Sequence, residues 1–372
     1  MTIAVNTGFS GEGQPDDTWN FIFECLSRLA EKHPQHQFVF LFDKLYPENG
    51  IFSNNVTTVI TGPRSKNTLL WQCWFNYKLP ALLKKHKADV LISMDGICSL
   101  RTKLPQCLFV PDLTFLQYPK ILKISQAHFF KKFMPEFLTK AKSIATVSQF
   151  SKSVIVDEYK IDTGKIDVVY SGISEMFKPI LQKDKEAIKE KYTEGKEYFL
   201  SPGNSGPANN LVNLLKAFSF FKKRQKSNMM LLIAGNPDEH FTKQLQTFKF
   251  RNEVRLLENL PNEELAKITA AAYAMVYPAL YADFATAPLQ AMQCEVPVVS
   301  SNAGALPELC GGTALYSDPN DFKDIAENMM LVFKDENKAK ELVKAGKIQA
   351  RLYQWDKTID LFWQFILKAI NH

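Results

Sequence analysis

Short runs of apolar, often β-branched residues recur along this chain, separated by stretches of helical periodicity. No other feature restricts the fold so strongly. In the first half the runs are Ile3–Val5, Phe38–Phe42, Asp89–Ile92, Gln106–Val110, Ser143–Thr146 and Ile166–Val169. In the second half they are Tyr198–Ser201, Met229–Ala234, Val254–Leu256, Met275–Pro278, Val298–Ser300 and Ala314–Tyr316. Between them lie amphipathic stretches at 18–33, 71–86, 123–142, 208–225 and 286–294. A strand apolar on both faces needs cover on both, and helices of this length between parallel strands supply it. The spacing predicts an α/β protein with two Rossmann-like, doubly wound parallel sheets in tandem.

A chain of 372 residues with 46% hydrophobic composition can fill two cores. The seam is FKPILQKDKEAIKEKYTEGKE, where a proline and a run of charges read as a linker entering a solvated helix. The expected division is 1–176 for the first domain, 177–197 for the linker and first helix of the second, and 198–352 for the second domain. Residues 353–372, with QWDKTIDLFWQFILKAI, form a packing helix that returns to the first domain. Doubly wound sheets bind ligands beyond the carboxyl ends of their strands. Two facing sheets would therefore frame a cleft.

Several function classes fall away. The six cysteines, Cys25, Cys73, Cys98, Cys107, Cys294 and Cys310, show no CxxC or Cys/His spacing, so they read as small buried apolar residues, with no metal site and no cofactor. MTIAVNTGF enters a strand at once, and no apolar segment reaches spanning length, so a cytoplasmic chain is expected. A net charge of +6 is mildly basic. Lys84-Lys85-His86-Lys87 and Lys222-Lys223-Arg224 follow helical faces without an aromatic platform, which argues against nucleic acid. HFFKKFMPEFLTKAK at 128–142 is the candidate for peripheral contact with the inner membrane face, against the simpler reading of a helix with a buried aromatic side.

Three segments carry a family resemblance: IATVSQFSKSVIVDEYKIDTGKIDVVYSGISEMFKPI, FLSPGNSGPANNLVNLLKAF and MVYPALYADFATAPLQAMQCEVPVVSSNAGALPELCGGTALYSDPND. Together with MTIAVNTGF and DVLISMDGICSLRTKLPQCLFVPDLTF, they resemble glycosyltransferase family 4 across essentially the whole chain. The resemblance implies the GT-B fold and a retaining, metal-independent transfer from a nucleotide-diphosphate sugar. Negative charge grows on the departing diphosphate, so such a site needs cations and oriented N–H donors there. Ser148 is the expected cap of the helix after the sixth strand, and Gly172, Gly203, Pro307 and Glu308 keep the family's punctuation.

The donor-side positions implied by the resemblance depart from the family's pattern. Gly203-Asn204-Ser205 and Asn209-Asn210 stand where Gly-Arg and Lys-Asn are usual. Ala282 and Gln290 stand where two glutamates contact the donor, and Asp283-Phe284-Ala285-Thr286 occupies a turn that normally holds two glycines. In the first domain Pro111-Asp112 replaces a His-Asp step, and Asp16-Asp17-Thr18-Trp19 aligns with the glycine loop after the first strand. Losing one electrostatic stabiliser costs about 10²–10³ in rate, and losing two cations roughly 10⁴–10⁶. Asp283 would add repulsion. Each position also has a structural reading: Asn209-Asn210 and Thr286 with Pro288 as helix starts, Pro111 as a strand end, Ala282 and Ala285 as packing residues.

Two functional expectations follow. The first is a catalytically lapsed family member that binds donor weakly or not at all. It would act as a partner or regulator of an active glycosyltransferase in polysaccharide assembly. The alternative is an active retaining enzyme with a rearranged donor site, with Arg101, Lys103 and Lys120 as candidate replacement cations.

Overall fold

The computed structural model describes residues 1–8, 17–43, 52–62, 67–119, 123–203 and 207–371. They divide into two compact units: Met1–Gly172 with Trp355–His372, and Ile173–Gln354.

The first unit holds a parallel sheet of β1 (Thr2–Asn6), β2 (Gln37–Phe42), β3 (Val56–Ile60), β4 (Val90–Ser93), β5 (Gln106–Val110), β6 (Ser143–Thr146) and β7 (Ile166–Val168). The strand order is β3-β2-β1-β4-β5-β6-β7, with Ile3 opposite both Phe38 and Val90. Phe38, Phe40, Val90, Ile92, Leu108 and Phe109 are fully buried, as strands covered on both faces must be. The edge strand β3, VTTVI, lies outside the runs expected from the sequence. Its central Thr57 and Thr58 are exposed, so it lacks the continuous apolar signal of a covered strand.

The helical stretch expected near 71–86 is Thr68–Cys73, a π-helical turn Trp74–Lys78, and Leu79–Lys85. The wide turn precedes Pro80, whose ring would clash with the carbonyl four residues back in a regular helix. The helix Ile124–Lys140 buries Phe129, Met134, Phe137 and Leu138, so the aromatic side of the 128–142 stretch belongs to the core.

The helix Trp355–Ile370 covers the same sheet at β5 and β6. Phe362 packs on Phe109 and Phe365 (ring centroids 6.0 and 5.3 Å apart), while Phe21 stacks on both Phe109 and Trp355. Gly172 leaves the space that Trp355 fills: a Cβ there would lie 2.5 Å from the indole and 2.6 Å from the Trp355 backbone nitrogen.

The second unit holds a parallel sheet of β8 (Tyr198–Pro202), β9 (Met230–Ala234), β10 (Val254–Leu257), β11 (Ala274–Tyr277), β12 (Val298–Ser301) and β13 (Leu315–Ser317). Its order is β10-β9-β8-β11-β12-β13. Leu214, Leu215, Phe218 and Phe221 of the helix Leu211–Gln225 pack on Phe199, Leu231 and Val276 with Met329 and Val332. Both sheets reverse direction of winding once, between β1 and β4 and between β8 and β11. Those reversals open crevices at the carboxyl ends of the strands.

Five cysteines are buried, and burial pushes the Cys107, Cys294 and Cys310 thiols up to about 12. Cys73 is exposed, contrary to the expectation that all six pack as apolar residues. Among the described residues no helix is long and apolar enough to cross a membrane.

Candidate active site

In the second unit, β8 and β11 are followed by Gly203 and residues 207–210 on one side and the loop 278–286 on the other, with the turn after β12 beside them. Gly203 follows β8 directly, with its N–H donating to Ala234 O at 2.7 Å. A Cβ at Gly203 would lie 2.1 Å from Ile233 Cγ2, so only glycine lets β8 leave the sheet this close to β9. Asn204 and Ser205 lie outside the described residues.

Asn210 precedes the helix Leu211–Gln225 in the left-handed conformation, φ 59°. Its side chain does not cap that helix, contrary to the role expected of it. Instead the amide donates to Pro278 O at 2.8 Å and Pro319 O at 2.6 Å, and Asn213 adds a bond to Pro319 O at 3.1 Å. Asn210 therefore joins the loops after β11 and β13 to the helix start. Asn209 closes the preceding 3₁₀ turn Pro207–Asn209, and Leu280 N–H bonds Ala208 O at 2.8 Å, which links the segments after β8 and β11 directly.

The loop 278–286 is held from several sides. Ser301 Oγ donates to Ala279 O at 2.6 Å, and the Ala305 N–H to Ala282 O at 2.8 Å. Gly304, at φ +60°, approaches so closely that a Cβ would sit 2.4 Å from Ala282 O. Ala282 and Ala285 are buried, as packing residues would be, and Phe284 is half-buried. Asp283 is 5% exposed, and its Oδ1 accepts the Tyr281 hydroxyl at 2.7 Å. The carboxylate thus has a hydrogen bond within its own loop, from a neutral hydroxyl that leaves its negative charge in place.

Thr286 and Pro288 begin the helix Ala287–Gln293, with the proline in the first turn as expected, but the threonine hydroxyl makes no cap. Neither helix start at this crevice carries a side-chain cap on its first-turn N–H groups, and Pro288 has no N–H to cap. Gln290 is half-buried in that helix and its side-chain amide has no partner among the described residues.

In the first unit, Pro111 follows the end of β5, and the exposed Asp112 carboxylate accepts the Thr114 N–H. Ser148 caps the helix Gln149–Tyr159 by accepting the Ser151 N–H at 3.1 Å, as expected. Arg101 lies over the Tyr77 ring at 4.2 Å, Lys103 is exposed, and Lys120 and Asp16 lie outside the described residues. Among the described residues no group of three or more His, Cys, Asp or Glu is placed to hold a metal.

One residue at the first unit's crevice was not singled out from the sequence. Asp95, just past β4, accepts Asn6 Nδ2 at 2.9 Å and the Ile97 N–H at 3.2 Å. Burial pushes its carboxyl up to about 7 despite those bonds. An acid ending an apolar strand and followed by glycine, ISMDG, is a signal that could have found it.

Two family profiles cover most of the chain. "Glycosyltransferase Family 4" matches residues 19–175 and "Glycosyl transferases group 1" matches 182–349. The chain belongs to glycosyltransferase family 4. Its fold is GT-B.

The chain is 28% identical over 249 residues to O-antigen chain mannosyltransferase B of Escherichia coli, a match covering 66% of this chain and 65% of that protein. It thus spans just under two thirds of that relative's length. It is 27% identical over 331 residues to O-antigen chain mannosyltransferase RfbU of Salmonella typhimurium, covering 85% and 86%. Among solved structures, sucrose-phosphate synthase from Thermosynechococcus elongatus has a TM-score of 0.79 at 17% identity, covering 98% of this chain and 97% of that one. Anabaena Alr3699/HepE in complex with UDP and glucose has a TM-score of 0.77 at 14% identity, covering 98% of each.

These findings overturn the expectation of a lapsed, non-catalytic family member. Its sequence relatives are transferases, and the group 1 profile matches through the donor-side segments whose residue types had suggested loss. The physical error lay in reading charge from residue identity alone. Helix starts carry partial positive charge that no side chain records, and two uncapped ones lie beside these segments.

Proposed function

We propose that this chain is an active retaining glycosyltransferase that moves mannose from a nucleoside-diphosphate donor to a growing glycan of the O-antigen kind. The observation that carries this reading is the match to two O-antigen mannosyltransferases, one of them along 85% of the chain. The arrangement at the crevice between β8 and β11 supports it. The uncapped start of Leu211–Gln225 offers N–H groups and the positive end of a 15-residue helix to a diphosphate. Gly203, Asn209 and the undescribed Asn204 and Ser205 belong to the phosphate side of this proposal. Asn210, Asp283, Phe284, Ala285 and Thr286 shape the loop and helix entrance, and Gln290 is the group for a donor hydroxyl.

Pro111 and Asp112 mark the corresponding strand end in the first unit. Peripheral contact with an anionic membrane fits the same reading. Leu69, Leu70 and Ile124 are exposed by 67, 49 and 89% on helices joined through Trp71, Phe129 and Phe130, next to exposed Lys123, Lys131 and Lys132.

The test is transfer by the purified full chain from GDP-mannose to a mannoside acceptor. Turnover is expected, and Gln290→Ala is expected to raise the donor Kd roughly fivefold, the equivalent of about 1 kcal/mol for one neutral hydrogen bond, with the Tm unchanged. No transfer from GDP-mannose or a panel of other nucleotide sugars would defeat the reading. An unaltered donor Kd would remove Gln290 from the site.

A further inference from the structure

We propose that a groove on the outer face of the helix Leu211–Gln225 docks a short acidic segment of a partner protein. Its phenyl rings take one apolar side chain of that segment, and its lysines take the charge on either side. The groove lies wholly in the second unit, and nothing about it depends on the transferase reading.

Three segments meet there. Lys216, Phe220 and Lys223 fall at i, i+4 and i+7 on the helix, which places them on one face. Phe248 and Lys249 follow the helix Glu239–Leu245, and Phe322 opens the helix Phe322–Lys334. Together they line a groove of about 370 Å³, the size of a ligand cleft. The sequence shows no aromatic platform beside Lys222-Lys223-Arg224, but the tertiary structure supplies one from elsewhere in the chain. Phe220 and Phe322 meet edge to face at 6.3 Å, and all three rings pack inward on the core of this unit. Each ring is half-buried, so the floor is recessed and held by its packing, while the three lysines stand exposed around it.

Charge sets this groove apart. Among the described residues no carboxylate lines it. Lys216 reaches the neutral Asn213 side chain at 3.3 Å, and Lys249 lies over the Phe250 ring at 5.7 Å. Asp321, the acid preceding Phe322, accepts the Lys323 N–H at 2.8 Å as a helix cap. Arg224, over Phe220 at 5.2 Å, adds another positive charge at the edge. Another groove of the same unit gives the contrast: there Lys340 and Lys347 are closed by Glu336 at 2.6 Å and Glu295 at 2.5 Å. The helix dipole does not account for the open lysines. It favours cations in the last turn, where Lys222 already donates to Ser227 O at 2.6 Å and Met229 O at 3.0 Å. Lys216 stands in mid-helix, and Lys249 lies outside the helix altogether.

The same features select the occupant. Lysine ammoniums are compact charges on flexible stems, so at a rim they read net negative charge rather than the planar geometry an arginine fork reads. Recessed rings require the guest to bring its own apolar anchor. A membrane-binding face would instead project its rings into lipid, and a single-stranded nucleic acid needs a basic track several nucleotides long. An acidic peptide with one aromatic side chain meets both demands.

Calorimetric titration of the full chain with an unlabelled peptide, one phenylalanine between two short runs of acidic residues, tests this without turnover. Saturable binding is expected. It should weaken at least about tenfold in the Lys223→Gln/Lys249→Gln variant and stay within about twofold in Lys340→Gln/Lys347→Gln, which removes equal charge elsewhere. The same peptide with alanine for phenylalanine should bind at least about fivefold more weakly. These results uphold the groove whether or not the chain transfers sugar. No saturable binding, equal weakening in the two double variants, or equal affinity for the alanine peptide overturns it. Tighter binding of phosphatidylglycerol vesicles or a thymidine oligonucleotide, lost in Lys223→Gln/Lys249→Gln, also overturns it and gives the groove to a membrane or a nucleic acid.

Discussion

Replacing Gly304 by alanine is expected to destabilise the second unit by roughly 3–5 kcal/mol and to cut donor-dependent turnover at least about 100-fold. Gly304 stands at φ +60°, where an L-side chain costs about 1 kcal/mol or more by itself. The larger cost is steric. The new Cβ would lie 2.4 Å from Ala282 O, 2.9 Å from Ala282 N and 3.1 Å from Ala282 C, all main-chain atoms that cannot rotate away. The adjoining bond from the Ala305 N–H to Ala282 O would have to break, leaving buried polar groups unmatched.

Because Ala282 leads directly into Asp283 and the helix start at Thr286, the displacement passes to the residues assigned to the donor. Gly312→Ala is the control. Nothing lies within 4 Å of a Cβ there and φ is −78°, so a change within about 0.5 kcal/mol is expected. Urea unfolding followed by far-UV circular dichroism, with donor hydrolysis alongside, measures both effects. A Gly304→Ala protein with wild-type stability and turnover would show that the Ala282 contact does not hold this loop.

The second large effect is expected in the first unit. Phe362→Ala should cost about 3–5 kcal/mol, against about 1–2 for Phe362→Leu. Phe362 is 0% exposed between Phe109 of β5 and Phe365, with no room for the vacated space to be filled by solvent. The chain supplies its own probe. All five tryptophans, Trp19, Trp71, Trp74, Trp355 and Trp363, belong to the first unit, so tryptophan fluorescence follows that unit's unfolding. The fluorescence midpoint should move to lower urea for Phe362→Ala. Loss of the same midpoint shift would mean that the terminal helix contributes little to the sheet it covers.

The sequence and the structure agree best where a side chain's role depends on its neighbours along the chain. The runs at 38–42, 106–110 and 143–146 are strands because consecutive apolar residues can be buried on both faces only in a covered sheet. Ser148 caps its helix through a residue three positions on, a distance legible in any sequence. β3 escaped notice because an edge strand needs no continuous apolar run.

The site was harder for a related reason. Asn210 looked like a helix cap or a vestigial phosphate contact, yet its amide bonds a carbonyl 109 residues away. Asp283 was read as a charge near the donor, and only the structure shows it buried and bonded by the Tyr281 hydroxyl of its own loop. Asp95 drew no attention because its meaning comes from Asn6, 89 residues earlier.

Periodicity of apolar residues alone therefore determined the two-sheet architecture, since burial of a strand or a helix face depends on spacing that is local. Only the tertiary structure decided which polar groups face a ligand. Hydrogen bonds are short and directional, and they join loops brought together by parallel strands whose sequence positions lie far apart. Charge at a crevice is set by those partners and by the ends of helices, neither of which is written in any single residue's identity.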